Sequence, residues 1–411
     1  MTPAPVTSSL PRNVRLLIGM RFARSVGQGA MVAAFALYLH ALDWSATAIG
    51  AVLMGGLLVG SVLTMAVGPL SDRGHRRTLL MAYDVLQMAA AIIAMTTATP
   101  WLLVVAALFG GYGRGANGAA GPFSPIEHAW MSIELPMKSR GRVFSRSMVY
   151  GFSGMAFGAT LAAVPVWALG HALDAQAYRL LFILPLLGSL ASLALLLAAR
   201  DPQAAPGDTP PSNPSTRERQ EENRMIGRVA LVNALNGLSI GLTGPLIAYW
   251  FAVKFHRGLD AIGPGLAVGF LLGTLGTVLA MRMTRRRGAV GTELRLRGAG
   301  LVLLVAMPLA PWFWVAMALY ILRGASLRGT IGIRNALTMS LTGSGRRGLT
   351  SSIQNISLQI PRAIGPVLGG ALFHAGHLTA PFIAGAVLQG IYLLLYAKFF
   401  ARHPAAQPES A

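Results

Sequence analysis

The chain has 411 residues, of which 54% are hydrophobic and 12% charged, about half the charged share of an ordinary soluble protein. That leaves too few polar side chains to cover a water-soluble surface, and the absence of cysteine excludes disulfides and thiolate metal sites. A formal charge of +20 would point to nucleic acid if it formed a patch, but along the chain it follows the asymmetry of membrane loops, so no nucleic-acid partner is expected.

Residues 1–15 show no cleavable signal pattern, because Arg21 and Arg24 interrupt the apolar run that follows; the first span is therefore expected to be retained. Apolar stretches long enough to cross the roughly 30 Å hydrocarbon layer then recur along the chain. Lipid offers the backbone no hydrogen-bond partner, and these stretches lack two-residue alternation, so they are helices and not barrel strands. Six are predicted near residues 15–40, 46–70, 78–97, 102–121, 143–169 and 178–199. Residues 200–228, rich in Pro, Ser, Asp, Glu and Arg, read as a solvated cytoplasmic linker. Six more spans are predicted near 226–253, 259–282, 296–309, 312–337, 348–374 and 378–400. In the ninth, Arg295 and Arg297 crowd the start and Pro308 and Pro311 the end.

The reading is thus an all-α integral membrane protein with twelve transmembrane helices, divided into 1–199, a linker at 200–228, and 229–411. The halves echo each other: Arg140-Gly141 precedes the fifth span as Arg347-Gly348 precedes the eleventh, and Arg114-Gly115 with Gly118 is matched by Arg328-Gly329 with Gly332. Such echoes fit an internal duplication. With the amino terminus in the cytoplasm, most of the 34 Lys and Arg fall on the cytoplasmic side. Arg21, Arg24, Arg114, Arg323, Arg328, Arg334 and Arg362 lie inside spans, and Arg179, Lys254 and Arg257 lie outside. This asymmetry places both termini in the cytoplasm, in a cytoplasmic (inner) membrane.

The loop after the second span reads Gly68-Pro69-Leu70-Ser71-Asp72-Arg73-Gly74-His75-Arg76-Arg77. It resembles the signature of the major facilitator superfamily: glycine, any residue, leucine, a small residue, Asp-Arg, any residue, glycine, then two basic residues. Gly68, Leu70, Asp72, Arg73, Arg76 and Arg77 match in position, while Gly74 comes one place early and His75 stands where glycine is usual. Glu134 to Arg142 is similar to the acidic, proline and arginine segment before the fifth helix of many members. Gly365 to Gly370 looks like the antiporter motif but falls in the eleventh helix, not the fifth, so close helix packing is the better reading, as for Gly151, Gly154 and Gly158. The resemblance implies two pseudo-symmetric six-helix bundles around a central cavity and rocking between inward- and outward-facing states. It also implies a gating role for Asp72, Arg73 and Arg77, since a charged cluster formed in only one state biases a two-state equilibrium.

Intramembrane polar residues carry the candidate site. At about 1.5 Å per residue, Arg114, Arg323 and Arg362 lie roughly 17 to 21 Å past Trp101, Trp312 and Gly348 at the starts of their helices, close to mid-membrane. Asn355, Gln359 and Arg362 share one helical stripe, as do Arg21, Arg24 and Gln28, and Asn236 begins a milder one with Ser239 and Thr243. Asp84 is read as the only acid well inside a span, a residue that could couple protons but is better explained by an ion pair with an arginine. One carboxylate cannot neutralise Arg24, Arg114, Arg323 and Arg362, so the interior is expected to be net positive and to favour an anionic ligand. Arg114, Arg323 and Arg362 are the expected ligand-binding residues, with Gln28, Asn236, Asn355 and Gln359 as hydrogen-bond partners. The bland alternatives are snorkelling, which suits Arg21 and Arg334, and burial against backbone carbonyls.

The function expected is an alternating-access secondary transporter for a small organic anion or a negatively charged amphipathic solute. The expected partners are that solute and the lipid bilayer, and the chain is expected to be a monomer. A multidrug or lipid efflux transporter of the same family is the alternative, favoured by the Met- and Gly-rich apolar helices. A membrane sensor that binds without transporting is the rival from another class. No clustered nucleophile, base or metal set marks an enzyme, and no cofactor or metal is expected.

Overall fold

A computed structural model describes residues 10–72, 74–112, 123–200, 216–340 and 347–400. The first half contains α1 (Arg12–Ala41), α2 (Ala46–Asp72), α3 (Arg76–Thr96), α4 (Pro100–Gly110), α5 (Phe123–Glu134), α6 (Met137–Leu169), α7 (Ala175–Leu180) and α8 (Ile183–Leu197). The second contains α9 (Thr216–Thr243), α10 (Ile247–Phe255), α11 (Leu259–Arg287), α12 (Ala289–Ala306), α13 (Phe313–Ser340), α14 (Arg347–His374) and α15 (Ala380–Phe400). Among the described residues there is no strand.

Local chemistry sets the breaks. Pro100 opens α4, where its missing N–H is no loss, and Gly111 closes it in the left-handed region at φ 67°. Asp174 caps α7 by accepting from the Ala177 N–H at 2.7 Å. Residues 244–246, which include Pro245, interrupt the seventh span between α9 and α10.

Nine stretches among the described residues are long and apolar enough to cross a membrane: α1, α2, α3, α6, α7 with α8, α9 with α10, α11, α14 and α15. The predicted fourth, ninth and tenth spans fall on α4, α12 and α13. α4 is short, while α12 carries Glu293, Arg295 and Arg297, and α13 carries Arg323, Arg328 and Arg334, which depress their mean hydropathy.

Three boundaries differ from expectation. The fourth span, predicted to end at residue 121, is followed by a further helix, α5, that packs on α1, α2 and α3. α9 begins at Thr216, so the end of the expected linker is helical, and residues 201–215 lie outside the described residues. α12 begins at Ala289, seven residues before the predicted start of the ninth span.

α1 packs on α6 and α8, α14 on α9, and α11 on α13; α14 against α2 and α11 against α6 join the two halves. Backbones meet closely where glycine removes the side chain. A Cβ at Gly158 would lie 1.8 Å from the Val26 carbonyl oxygen on α1, and one at Gly50 would lie 2.1 Å from the Pro366 carbonyl oxygen across the half-to-half contact. Gly154 packs on α1 in the same way, and Gly365 and Gly369 pack on α9, so both glycine runs serve helix approach.

One apolar core, including Phe35, Ile49, Phe152, Trp250, Ile262 and Phe373, spans both halves at the end bearing residues 41–46 and 255–259. At the end bearing the chain termini the core divides. Val14, Leu80, Trp130 and Leu196 belong to a cluster of the first half alone, and Val229, Leu337, Tyr392 and Phe400 to one of the second.

Candidate functional site

In the first half two buried arginines of α1 meet two buried carboxylates, while Arg76 at the start of α3 is also buried. Arg21 and Arg24, one turn apart on α1, face carboxylates from two other helices. Arg21 Nη1 lies 3.4 Å from Glu127 Oε2 on α5, Arg24 Nη2 pairs with Glu127 Oε1, and Arg24 Nη1 lies 3.9 Å from Asp84 Oδ1 on α3. Ser192 on α8 donates to Asp84 Oδ2 at 2.7 Å. Glu127 and Asp84 are fully buried, and such carboxylates persist only with charge partners and hydrogen bonds.

Asp84 is therefore not the only acid inside the protein. Glu127 was placed beyond the fourth span, because that span was ended at residue 121. The available signal was Pro125 near a helix start with Ile126, Trp130 and Met131 spaced along one face. Gln28 lines a cavity of about 40 Å³ with Arg24, Gln87, Tyr112 and Pro185, enough for a few waters.

The second half also holds a buried acid that the sequence placed outside the membrane. Glu293 and Arg297 pair at 3.2 Å on α12, one turn apart, and both are buried. Tyr392 donates to Glu293 Oε1 at 2.5 Å. Arg297 donates to Asn236 Oδ1 at 2.6 Å and Thr330 Oγ1 at 3.1 Å. Asn236 thus turns its carbonyl to a protein arginine, leaving Nδ2 buried without a partner.

The other buried arginines of this half lie on α13 and α14. Arg323 on α13 is 5% exposed, and its Nε and Nη2 have no hydrogen-bond partner; its electrostatic neighbours are Tyr320 and the like-charged Arg297. Arg362 on α14 donates from Nη1 to Gln359 Oε1 at 3.2 Å, and Gln359 and Asn355 are half-buried on the same helix. Arg328 donates to the Gly269 carbonyl at 2.6 Å and stacks over Phe270 of its own half and Phe152 of the other, 5.9 and 5.5 Å from the ring centroids. Five arginines of the second half, Arg297, Arg323, Arg328, Arg334 and Arg362, are buried against one buried carboxylate, Glu293, among the described residues.

Of the residues expected to bind ligand, Arg323 and Arg362 lie inside the second half and Gln28 in the first, while Arg114 lies outside the described residues. Arg73 does too, and so does the side chain of Asp72. Arg77 donates from Nε and Nη2 to the carbonyls of Leu196 and Leu197 at 3.2 and 2.9 Å, binding the C-terminal end of α8, where the helix dipole favours a cation.

Comparison with known proteins matches residues 17–225 to the profile of the Major Facilitator Superfamily. The chain is 21% identical to the uncharacterized membrane protein YJR124C of Saccharomyces cerevisiae, with 94% of each covered. Its fold is similar to that of a bacterial homolog of the human lysosomal transporter Spinster in an inward-facing, occupied conformation, with a TM-score of 0.72, 14% identity, and 97% of this chain and 98% of that one covered. It is also similar to a bacterial homologue of the iron transporter ferroportin in an inward-facing state, with a TM-score of 0.72, 16% identity, and 96% and 100% covered. At such identities the structural likeness concerns the fold.

Proposed function

The chain belongs to the major facilitator superfamily, and from that premise we propose that it is a secondary transporter that moves a small organic anion, or an amphipathic solute with a negative group, by alternating access. The observation that carries the substrate class is Arg323: it is buried, its Nε and Nη2 have no hydrogen-bond partner, and its charged neighbour is the like-charged Arg297. A guanidinium keeps its proton, so in a dry interior it takes a counter-charge or water. A carboxylate, phosphate or sulfonate supplies the charge with paired hydrogen bonds. Arg323 and Arg362 are the proposed anion ligands, with Gln359, Asn355 and the free Nδ2 of Asn236 as polar partners; Arg114 and Gln28 would contribute from the first half. Asp84, held by Arg24 and Ser192, serves in this reading as a structural counter-ion.

A joined core at one end and divided cores at the other support a rocking mechanism. With the termini in the cytoplasm of an inner-membrane protein, the divided end faces inward. Single-cysteine labelling on this naturally cysteine-free chain checks that orientation: a residue in 201–215 should react only from the cytoplasmic side, and external labelling would reverse it. The gating role proposed for Asp72, Arg73 and Arg77 is checked by Asp72→Asn. It should slow transport while leaving solute affinity in detergent within a few-fold; transport at the wild-type rate would remove that role.

The functional reading is tested by screening purified protein against anionic, neutral and cationic solutes for ligand-induced thermal stabilisation, then measuring flux of the hits into proteoliposomes. Flux of an anion is expected. A cation as the transported solute would end the anion reading, and binding without flux would favour a sensor.

A further inference from the structure

At the terminus end of the second half, α9, α13 and α15 enclose a small cavity lined by Val232, Asn233, Arg334, Thr338, Tyr396 and Phe400 among others. Its volume of about 10 Å³ admits one water-sized sphere. Four polar atoms of the lining residues are buried without a hydrogen-bond partner among the described residues: Arg334 Nε, Arg334 Nη1, Asn233 Nδ2 and Tyr396 Oη. Three are N–H groups that only donate and the fourth is a hydroxyl that can. The Thr338 hydroxyl on the same wall already donates to the Arg334 carbonyl at 2.9 Å. Arg334 is 5% exposed, Asn233 and Tyr396 2% each.

Charge points the same way as hydrogen bonding. Among the described residues Glu293 is the one buried carboxylate nearby, and it serves Arg297 directly at 3.2 Å while also adjoining Arg334 and Tyr392. Two arginines against one carboxylate leave this corner one positive charge in excess, with Tyr392, which accepts a hydrogen bond from Arg334, and Tyr396 as its neutral titratable neighbours. A water accepts two hydrogen bonds and must place two hydrogens of its own, whereas a monatomic anion accepts from every direction and supplies the missing charge.

We propose that this cavity is a halide site, occupied by chloride in the cell, that neutralises Arg334 and ties α9, α13 and α15 together. It is distinct from the proposed solute ligands, since it lies in the terminus-end core of one bundle and uses neither Arg323 nor Arg362.

The full-length protein, purified in detergent and sodium gluconate, is titrated with sodium chloride or sodium bromide at constant ionic strength while thermal unfolding is followed. A saturable rise in melting temperature is expected, and crystals grown with bromide should show an anomalous peak between Asn233, Arg334 and Tyr396. Tyr396→Phe, which deletes one donor and keeps the ring, should weaken the apparent halide affinity about tenfold or more, as removal of a hydrogen bond to an ion does. Asn233→Leu should do the same, and Arg334→Gln should abolish the response; if that variant does not fold, the two milder ones decide the matter. A response that never saturates, one that is unchanged in both Tyr396→Phe and Asn233→Leu, or the absence of a bromide peak overturns the assignment and leaves the cavity to water.

Discussion

Arg323→Gln is expected to fold and reach the membrane, yet to lose most affinity for the transported anion. The guanidinium is buried, two of its nitrogens have no protein partner, and its charged neighbour is another arginine, so an anion arriving there gains both charge and hydrogen bonds. Truncating one partner of a desolvated charge pair costs about 2 to 5 kcal/mol, or roughly 30- to 5,000-fold in affinity. Arg362→Gln should act in the same direction but less strongly, because its Nη1 is already engaged by Gln359. Lysine at either position should restore part of the binding, since it keeps the charge but not the planar fork. Binding by thermal stabilisation and flux in proteoliposomes, measured on the same preparations, separate loss of ligand contact from loss of protein. If both glutamine variants bind and carry the solute normally, these arginines are structural and the anion reading falls.

Glu127→Gln is expected to be among the most destabilising single substitutions in the first half. Glu127 is fully buried and meets both Arg21 and Arg24, and Asp84 lies farther from Arg24, at 3.9 Å. Removing one member of a buried ion cluster costs about 3 to 5 kcal/mol, because an unpaired charge is left in a poorly hydrated interior. Chemical denaturation of the protein in detergent measures this, and a loss under about 0.5 kcal/mol, the size typical of surface changes, would show that the cluster is hydrated or unimportant. The double variant Arg21→Gln with Glu127→Gln should recover part of the loss, since it removes a charge along with its partner. A loss equal to the sum of the two single-variant losses would mean that the two residues act independently.

The helical membrane fold was legible in the sequence because its cause is local. Apolar runs matched to the hydrocarbon thickness have one way to satisfy their backbone, and loop charge is read one segment at a time. The loop from Gly68 to Arg77 carried the family in the same local way. The two glycine runs were also read for what they do, since a missing side chain permits close approach whatever the neighbour is.

Electrostatic balance could not be read in that way. A hydropathy pattern moves a charged residue out of a span, so on that pattern Glu127 and Glu293 fall in flanking segments and Asp84 alone falls inside. What makes a buried carboxylate tolerable is a counter-charge, and its counter-charge is remote in sequence: Arg21 and Glu127 are 106 positions apart, and Ser192 and Asp84 are 108 apart. Only the packing of α1, α3, α5 and α8 around one point revealed that Arg21 and Arg24 meet two buried carboxylates. The same packing set five buried arginines of the second half against one buried carboxylate among the described residues. Sequence by itself determined that arginines are buried in this membrane protein, because they interrupt runs that lipid must otherwise solvate. Tertiary structure decided which of them meet a carboxylate, because Coulomb energy depends on distance through the protein and not along the chain.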